Sequence, residues 1–274
     1  MRVWVNDRLL MDADEAAIRV SDHGFTVGDG VFEALKIVDG QPFALTRHLD
    51  RLATSAGALG LPAPDDTKIR MAVAAVLDGF DDPLGRLRIT YTGGPSPMGS
   101  GRGEVVPTLV VAASPMAPYP STAHVVTVPW PRNERGALAG VKSTSYAENV
   151  VALAYAAKQG AGEAIFTNLA GNVCEGTGSN VFYVVDGELR TPTLASGCLA
   201  GVTRALILEW CGAVEVDEPL EHVVATAEEA FLASTTRDAQ PIARWDDRHF
   251  GDAGPVTREV QETWARRERQ HVDP

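Results

Sequence analysis

The sequence predicts an α+β protein built as two α/β domains joined by a short linker. Stretches that alternate apolar and polar residues, such as MRVWV and RLRITYT, are interspersed with stretches of helical period, such as ALTRHLDRLATSAGALGL. A segment with three prolines, SPMAPYPST at 114–122, interrupts that pattern near the middle. A chain of 274 residues, 45% hydrophobic and 22% charged, has room for one large domain or two smaller ones, with a core that needs no staples. The expected division is a small N-terminal domain over 1–113, a linker over 114–122, and a large C-terminal domain over 123–274.

The elements follow in order. MRVWVNDRLL turns at Asn6-Asp7 and reads as a hairpin. Gly28-Asp29-Gly30 breaks the chain before an apolar strand, Val31 to Val38, which turns at Asp39-Gly40. Leu45, Leu49, Leu52 and Ala56 share one helical face, with Thr46 as the expected cap. A second amphipathic helix is expected over 66–80. In the strand that follows, Arg86 and Arg88 share one face, opposite Leu87 and Ile89. GGPSPMGSGRG at 93–103 is a long loop, and TLVVAA is a strand that closes the first domain. In the second half AHVVTVPW, EAIFTN, NVFYVVDG and FLASTT read as strands. Helices are expected near 146–159, capped by a Ser145–Glu148 box, after Gly201, over 226–231, and at the C-terminus.

Charge and composition narrow the function. A net charge of −12 and a pI near 4.9 argue against nucleic acid or an anionic membrane as partner. No apolar run is long enough for a membrane span, and the N-terminus lacks a signal-peptide core. Three cysteines without metal-like spacing suggest a reduced, cytoplasmic chain. No common nucleotide loop, nucleophile elbow or HxxxH pair occurs, so no metal site is expected.

What remains is a lysine, an acid and an anion site. Of the four lysines, Lys142 alone lies between an expected strand and a helix start, where an amine can face a pocket. Glu175 is a lone acid in CEGTGSN. Gly201-Val202-Thr203 opens a helix, where backbone N–H groups, the dipole and a hydroxyl suit an anion. Ser234, Thr235 and Thr236 offer more hydroxyls at a turn. By local pattern Arg51 reads as a surface residue. The list matches the needs of pyridoxal 5'-phosphate: an amine for its aldehyde, a carboxylate for its ring nitrogen, and donors for its phosphate.

The motifs SDHGFTVGDGVFE, HLDRL, VKSTSYAENV, CEGTGSNVF, CLAGVTR and FLASTTRDAQPI, in this order, resemble those of the fold-type IV pyridoxal-phosphate enzymes, the class IV aminotransferases. The resemblance spans essentially the whole chain. It implies that Lys142 is the Schiff-base lysine and acid/base, and that Glu175 pairs with the ring nitrogen. It implies that Arg51, Val202, Thr203 and Thr235, with Ser234, hold the phosphate, that Asn180 shapes the sheet behind the cofactor, and that Tyr146 lies near the cofactor oxygen. It also implies a homodimer.

The branch is less marked. D-amino-acid transaminases resemble this chain around Phe25, but there they carry a tyrosine that helps hold the substrate carboxylate. Their Arg-x-His pair is also absent from the loop at 93–103. Arg88 is then the expected carboxylate ligand, with Arg102 a second candidate. The expected reaction is transamination between an amino acid and a 2-keto acid, with D-amino acids slightly favoured and (R)-amines as further donors. The alternatives are a 4-amino-4-deoxychorismate lyase and a branched-chain L-amino-acid aminotransferase. Glu33 in VFEALK and the STT at 234–236 favour the transaminases.

Overall fold

A computed structural model describes residues 1–15 and 17–274. The chain divides into two compact units. The first holds residues 1–118, 141–146 and 272–274, and the second holds 119–140 and 147–271. This differs from the expected division at both ends of the linker and at the lysine. Strand pairing continues through Pro115, inside the segment read as linker. Lys142 belongs to the first unit because its carbonyl accepts the N–H of Phe32 at 3.0 Å and its neighbour Ser143 bridges Val31.

In the first unit the elements are β1 (Arg2–Val5), β2 (Arg8–Leu9), α1 (His23–Thr26), β3 (Gly30–Val38), β4 (Gln41–Pro42), α2 (Leu45–Ala58), α3 (Asp66–Leu77), β5 (Leu84–Thr92) and β6 (Thr108–Pro115). The strands form one antiparallel sheet in the order β2-β1-β6-β5-β3-β4. Alternation sorts its two faces. Leu35, Ile37, Leu87, Ile89 and Val111 pack against Leu49, Leu52, Ala56, Ile69 and Val76 of the two long helices. Phe32, Ala34, Arg88 and Thr90 project from the other face, with Phe32 opposite Thr90 and Ala34 opposite Arg88. The expected Thr46 cap is not formed. Ala44 precedes α2 at φ 55°, and Asp273 accepts both the N–H and the hydroxyl of Thr46, at 2.9 and 2.6 Å.

The second unit contains β7 (Ala123–Thr127), α4 (Ala147–Lys158), β8 (Glu163–Thr167), β9 (Val173–Gly176), β10 (Asn180–Val185), β11 (Glu188–Thr191), α5 (Val202–Cys211), β12 (Val214–Glu215), α6 (Leu220–Thr226), β13 (Glu229–Ser234), β14 (Asp238–Trp245), β15 (Arg248–His249) and α7 (Pro255–Gln270). Its mixed sheet runs β12-β11-β10-β13-β14-β7-β8-β9, with β15 on β14. Val125 and Ile165 face a core shared with Val223, while Val126, Ala164 and Phe166 face Ala152 and Ala156 of α4.

One expectation fails here. The helix expected over 226–231 lies earlier, at 220–226, and residues 229–234 are a strand paired with β10. The reason is Glu229, whose buried carboxylate accepts the N–H groups of Val256 and Thr257 at the start of α7. That tie fixes the segment as extended chain. The Ser145 hydroxyl donates to the carbonyl of Gly28 at 3.1 Å.

Candidate active site

Lys142 is positioned by its own main chain and by the residues that follow it. Beyond the Phe32 bond, Thr144 N–H donates to the Gly30 carbonyl at 2.8 Å and the Thr144 hydroxyl donates to the Gly28 carbonyl at 2.9 Å. Residues 141–146 therefore run along the open edge of β3. The close approach explains Gly28: its φ is +71°, and a Cβ there would stand 2.6 Å from the Ser145 hydroxyl. The Lys142 amine lies 4.5 Å from the centre of the Phe32 ring, and the Arg88 guanidinium carbon lies 3.9 Å from it. Tyr146 meets the same ring edge-on at 5.1 Å. Three of the expected residues thus gather around one buried phenylalanine that the sequence reading did not single out.

Arg51 is not a surface residue. Its Nε and Nη2 donate to Glu33 at 2.8 and 2.6 Å, and His48 Nδ1 is 2.7 Å from the same carboxylate. Burial works to raise the pKa of Glu33. It is outweighed by the charge and hydrogen bonds of Arg51 and by His48, so the group sits at about 2. Burial pushes His48 the other way, below its usual range.

Arg102 is engaged within its own unit. It forms a two-pronged pair with Asp29, at 2.7 and 2.5 Å, and donates to the carbonyls of Leu59 and Gly60. The hydrogen bonds from Arg102 lead in holding Asp29 below the ordinary carboxylate range. Arg102 is therefore a tether for the loop at 93–103. Phe25 is 75% exposed on α1.

In the second unit Glu175 stands on β9, directly across from Phe166 of β8. One carboxylate oxygen accepts the N–H of Leu199 at 2.9 Å. The other is 3.5 Å from Nη2 of Arg132. Asn180 donates to the Leu199 carbonyl at 2.9 Å, and a Cβ on Gly201 would come within 2.0 Å of the Asn180 amide oxygen. Asn180 and Gly201 thus fix the turn that delivers the Leu199 donor. Gly201 caps α5 without a side-chain bond, and Val202 and Thr203 occupy the first turn, where N–H groups lack intrahelical acceptors. Ser234 ends β13, and Thr235 follows in a tight turn closed by Arg237 N–H to Ser234 carbonyl at 3.0 Å.

These donors fit pyridoxal phosphate. A glycine-opened helix start suits a phosphate, and a carboxylate held between an N–H and a guanidinium suits a protonated ring nitrogen. The sequence reading missed Arg132 and Glu163. Glu163 is buried and accepts from Thr177 N–H at 3.0 Å, from the Thr177 hydroxyl, and from Arg237 at 3.2 Å, bracing the turn after Glu175. Neither residue has a local sequence signal, since each acts on partners far along the chain.

Residues 30–245 match the family described as amino-transferase class IV. The D-alanine aminotransferase of Staphylococcus haemolyticus is 30% identical, over 95% of this chain and 95% of that protein. A branched-chain aminotransferase from Thermoproteus uzoniensis, solved with norvaline, is 30% identical with a TM-score of 0.89, covering 97% of this chain and 94% of that one. An aminotransferase from Mycobacterium tuberculosis, solved in its PLP-bound form, is 26% identical with a TM-score of 0.86, covering 97% and 98%.

Proposed function

Because the chain belongs to the class IV aminotransferases, we propose that it moves amino groups between amino acids and 2-keto acids, with D-amino acids as the preferred donors. It is a pyridoxal-phosphate enzyme. When bound, the coenzyme supplies an aldehyde that accepts amino groups and a ring that withdraws electrons. In the proposal Lys142 carries the coenzyme and moves the proton between the substrate Cα and the coenzyme C4′. Glu175 faces the ring nitrogen. The N–H groups of Val202 and Thr203, the hydroxyls of Thr203, Ser234 and Thr235, and Arg51 hold the phosphate. Tyr146 orients the region around the lysine.

The observation that carries the substrate reading is the meeting of the Lys142 amine and the Arg88 guanidinium on the Phe32 ring. An amine and a guanidinium that share one aromatic ring suit an α-amino carboxylate, with Arg88 on the carboxylate and the lysine at Cα. Arg102 leaves this role, because Asp29 already takes it in a two-pronged pair. Phe25 offers an apolar wall to the substrate. The D preference draws support from the D-alanine aminotransferase relative. The branched-chain L-amino-acid reading draws equal structural support from the Thermoproteus enzyme.

Half-reactions decide among these. Holoenzyme is mixed in turn with D-alanine, L-leucine, an (R)-amine and aminodeoxychorismate, and the coenzyme spectrum is followed. Rapid bleaching by D-alanine is expected. Bleaching by L-leucine alone would replace the D assignment, and pyruvate with aminobenzoate from the last compound would put the lyase first. In Arg88→Ala, KM for the amino acid should rise by about tenfold or more, as for loss of a charged hydrogen bond, while the (R)-amine, which has no carboxylate, is unaffected.

We also propose a cytoplasmic homodimer. Val20, Phe25, Val27, Met98 and Val106 are exposed apolar side chains on two segments of the first unit. Those segments are joined by the Asp22–Pro95 bridge. Such clustering fits a second copy of the chain. Three free cysteines fit a reducing compartment. Among the described residues no helix is long and apolar enough to cross a membrane.

A further inference from the structure

We propose that Arg132 is the positioning residue that keeps Glu175 ionised, so that the proton they compete for stays on the coenzyme ring nitrogen. The inference rests on the assignment of Glu175 to that nitrogen.

The geometry is specific. Phe166 and Glu175 are register partners on neighbouring antiparallel strands, so their side chains leave the sheet on the same face. The Arg132 guanidinium lies over the Phe166 ring, 4.1 Å from its centre. The ring acts as a shelf that sets the plane of the guanidinium and aims Nη2 at Glu175, 3.5 Å away. The backbone is fixed as well, since Arg132 N–H donates to the Thr167 carbonyl at 2.7 Å. At the other edge Nη1 donates to Glu148 at 3.0 Å and to the Asn149 side-chain oxygen at 3.2 Å. Asn149 in turn donates to the carbonyl of Thr177, two residues after Glu175.

Two features separate this from a plain structural staple. Nε and Nη2 are buried and make no hydrogen bond, although Nη2 faces a carboxylate. An arginine selected only to bridge α4 to the sheet would not leave two buried donors unused. The contact with Glu175 is thus one of charge. Second, one guanidinium serves two carboxylates, Glu148 and Glu175, and Glu175 is the less exposed. Cys174, Cys198 and Arg204 do not replace it. Burial pushes the thiols of Cys174 and Cys198 up, Cys198 to about 11, so both stay neutral. Arg204 is turned to Glu215 and the Pro192 carbonyl.

The consequence is electrostatic. A carboxylate that loses an opposite charge at this distance binds protons more readily, by about one to three pH units. Glu175 would then take the proton from the ring nitrogen, and the ring would lose its pull on electrons.

The test reads the ring itself. Holoenzyme is loaded with coenzyme labelled with 15N in the ring, and its nitrogen chemical shift is followed against pH. Wild type should keep the pyridinium shift through neutral pH. In Arg132→Met, which can still cover Phe166, the change to neutral pyridine should occur at least one pH unit lower. Coenzyme affinity should stay within about threefold, about half a pH unit in free-energy terms. Arg132→Lys should recover part of the shift, and Glu148→Gln should leave it as in wild type. If Arg132→Met does not fold, the double variant Arg132→Met, Glu148→Gln, which strands no acid at 148, carries the same expectation. A wild-type ring shift in whichever of these variants folds overturns the role of Arg132. Glu175→Gln is the control for the underlying assignment: if that variant keeps the wild-type shift, Glu175 is not the partner of the ring at all.

Discussion

Lys142→Ala is expected to lose the yellow colour of the holoenzyme and about 10^4-fold or more of its turnover, the upper range for removal of a proton-transfer group. The protein should still fold. The bonds that seat residue 142 on β3 run from its own carbonyl and from Thr144 and Ser145, none of them through the lysine side chain. The loss is therefore chemical. Absorbance spectra, borohydride fixation followed by peptide mapping, and steady-state rates are the measurements. A fixed coenzyme recovered on Lys36, Lys68 or Lys158 would move the covalent role elsewhere. Addition of small primary amines to Lys142→Ala should restore part of the proton transfer, since the cavity left by the side chain lies beside Phe32.

Glu33→Ala is expected to destabilise the first unit by about 3–5 kcal/mol, the cost of leaving a buried charge without its partner. Glu33 is fully buried, and its loss takes a buried carboxylate away from Arg51 and His48 on α2. The pH profile supplies a second reading. Glu33 falls from an ordinary value of 4.5 to about 2 in the folded chain. Its contribution is complete above pH 4.5 and is lost as pH falls from there towards 2. His48 is also depressed, from 6.5, so its contribution is lost on acidification below pH 6.5. Both groups make the wild type acid-labile. Urea unfolding at a series of pH values should show the acid limb below pH 4.5 flattened in Glu33→Ala. An acid limb as steep as in wild type would assign that lability to other carboxylates. Because Arg51 then loses the carboxylate that orients it, coenzyme affinity should also change, and Arg51→Lys, which cannot reproduce the fork on Glu33, should share part of the stability loss.

The parts of this molecule that were legible in the sequence are those decided within a few residues. The turns at Asn6 and Asp39 follow from dipeptides that tolerate a left-handed backbone, and both residues have φ near 50°. The faces of β5 followed from alternation, with Leu87 and Ile89 buried as expected. The helix start at Gly201 followed from its glycine. What escaped was decided over long separations. The cap on α2 comes from Asp273, 227 residues beyond Thr46. The fate of Arg51 was set by Glu33, 18 residues away on a strand. Strand β9 was hidden in a glycine-rich stretch because it is held by its register with β8 and by the buried Glu163 behind it, not by its own composition. Arg132 had no local mark, since its meaning lies in Phe166 and Glu175, 34 and 43 positions later.

The return of residues 141–146 to β3 also bears on synthesis. Along its first half β3 has β5 on one side and this returning segment on the other. A nascent chain that has emerged only as far as Pro118 has every named strand of its sheet but exposes the amides of residues 30–32 along a naked margin. That margin is a template for pairing with a second nascent chain. It is covered only after a further two dozen residues leave the ribosome, and the peptide that covers it is the one bearing Lys142, so the sheet is sealed and the lysine proposed to carry the coenzyme is delivered in the same act.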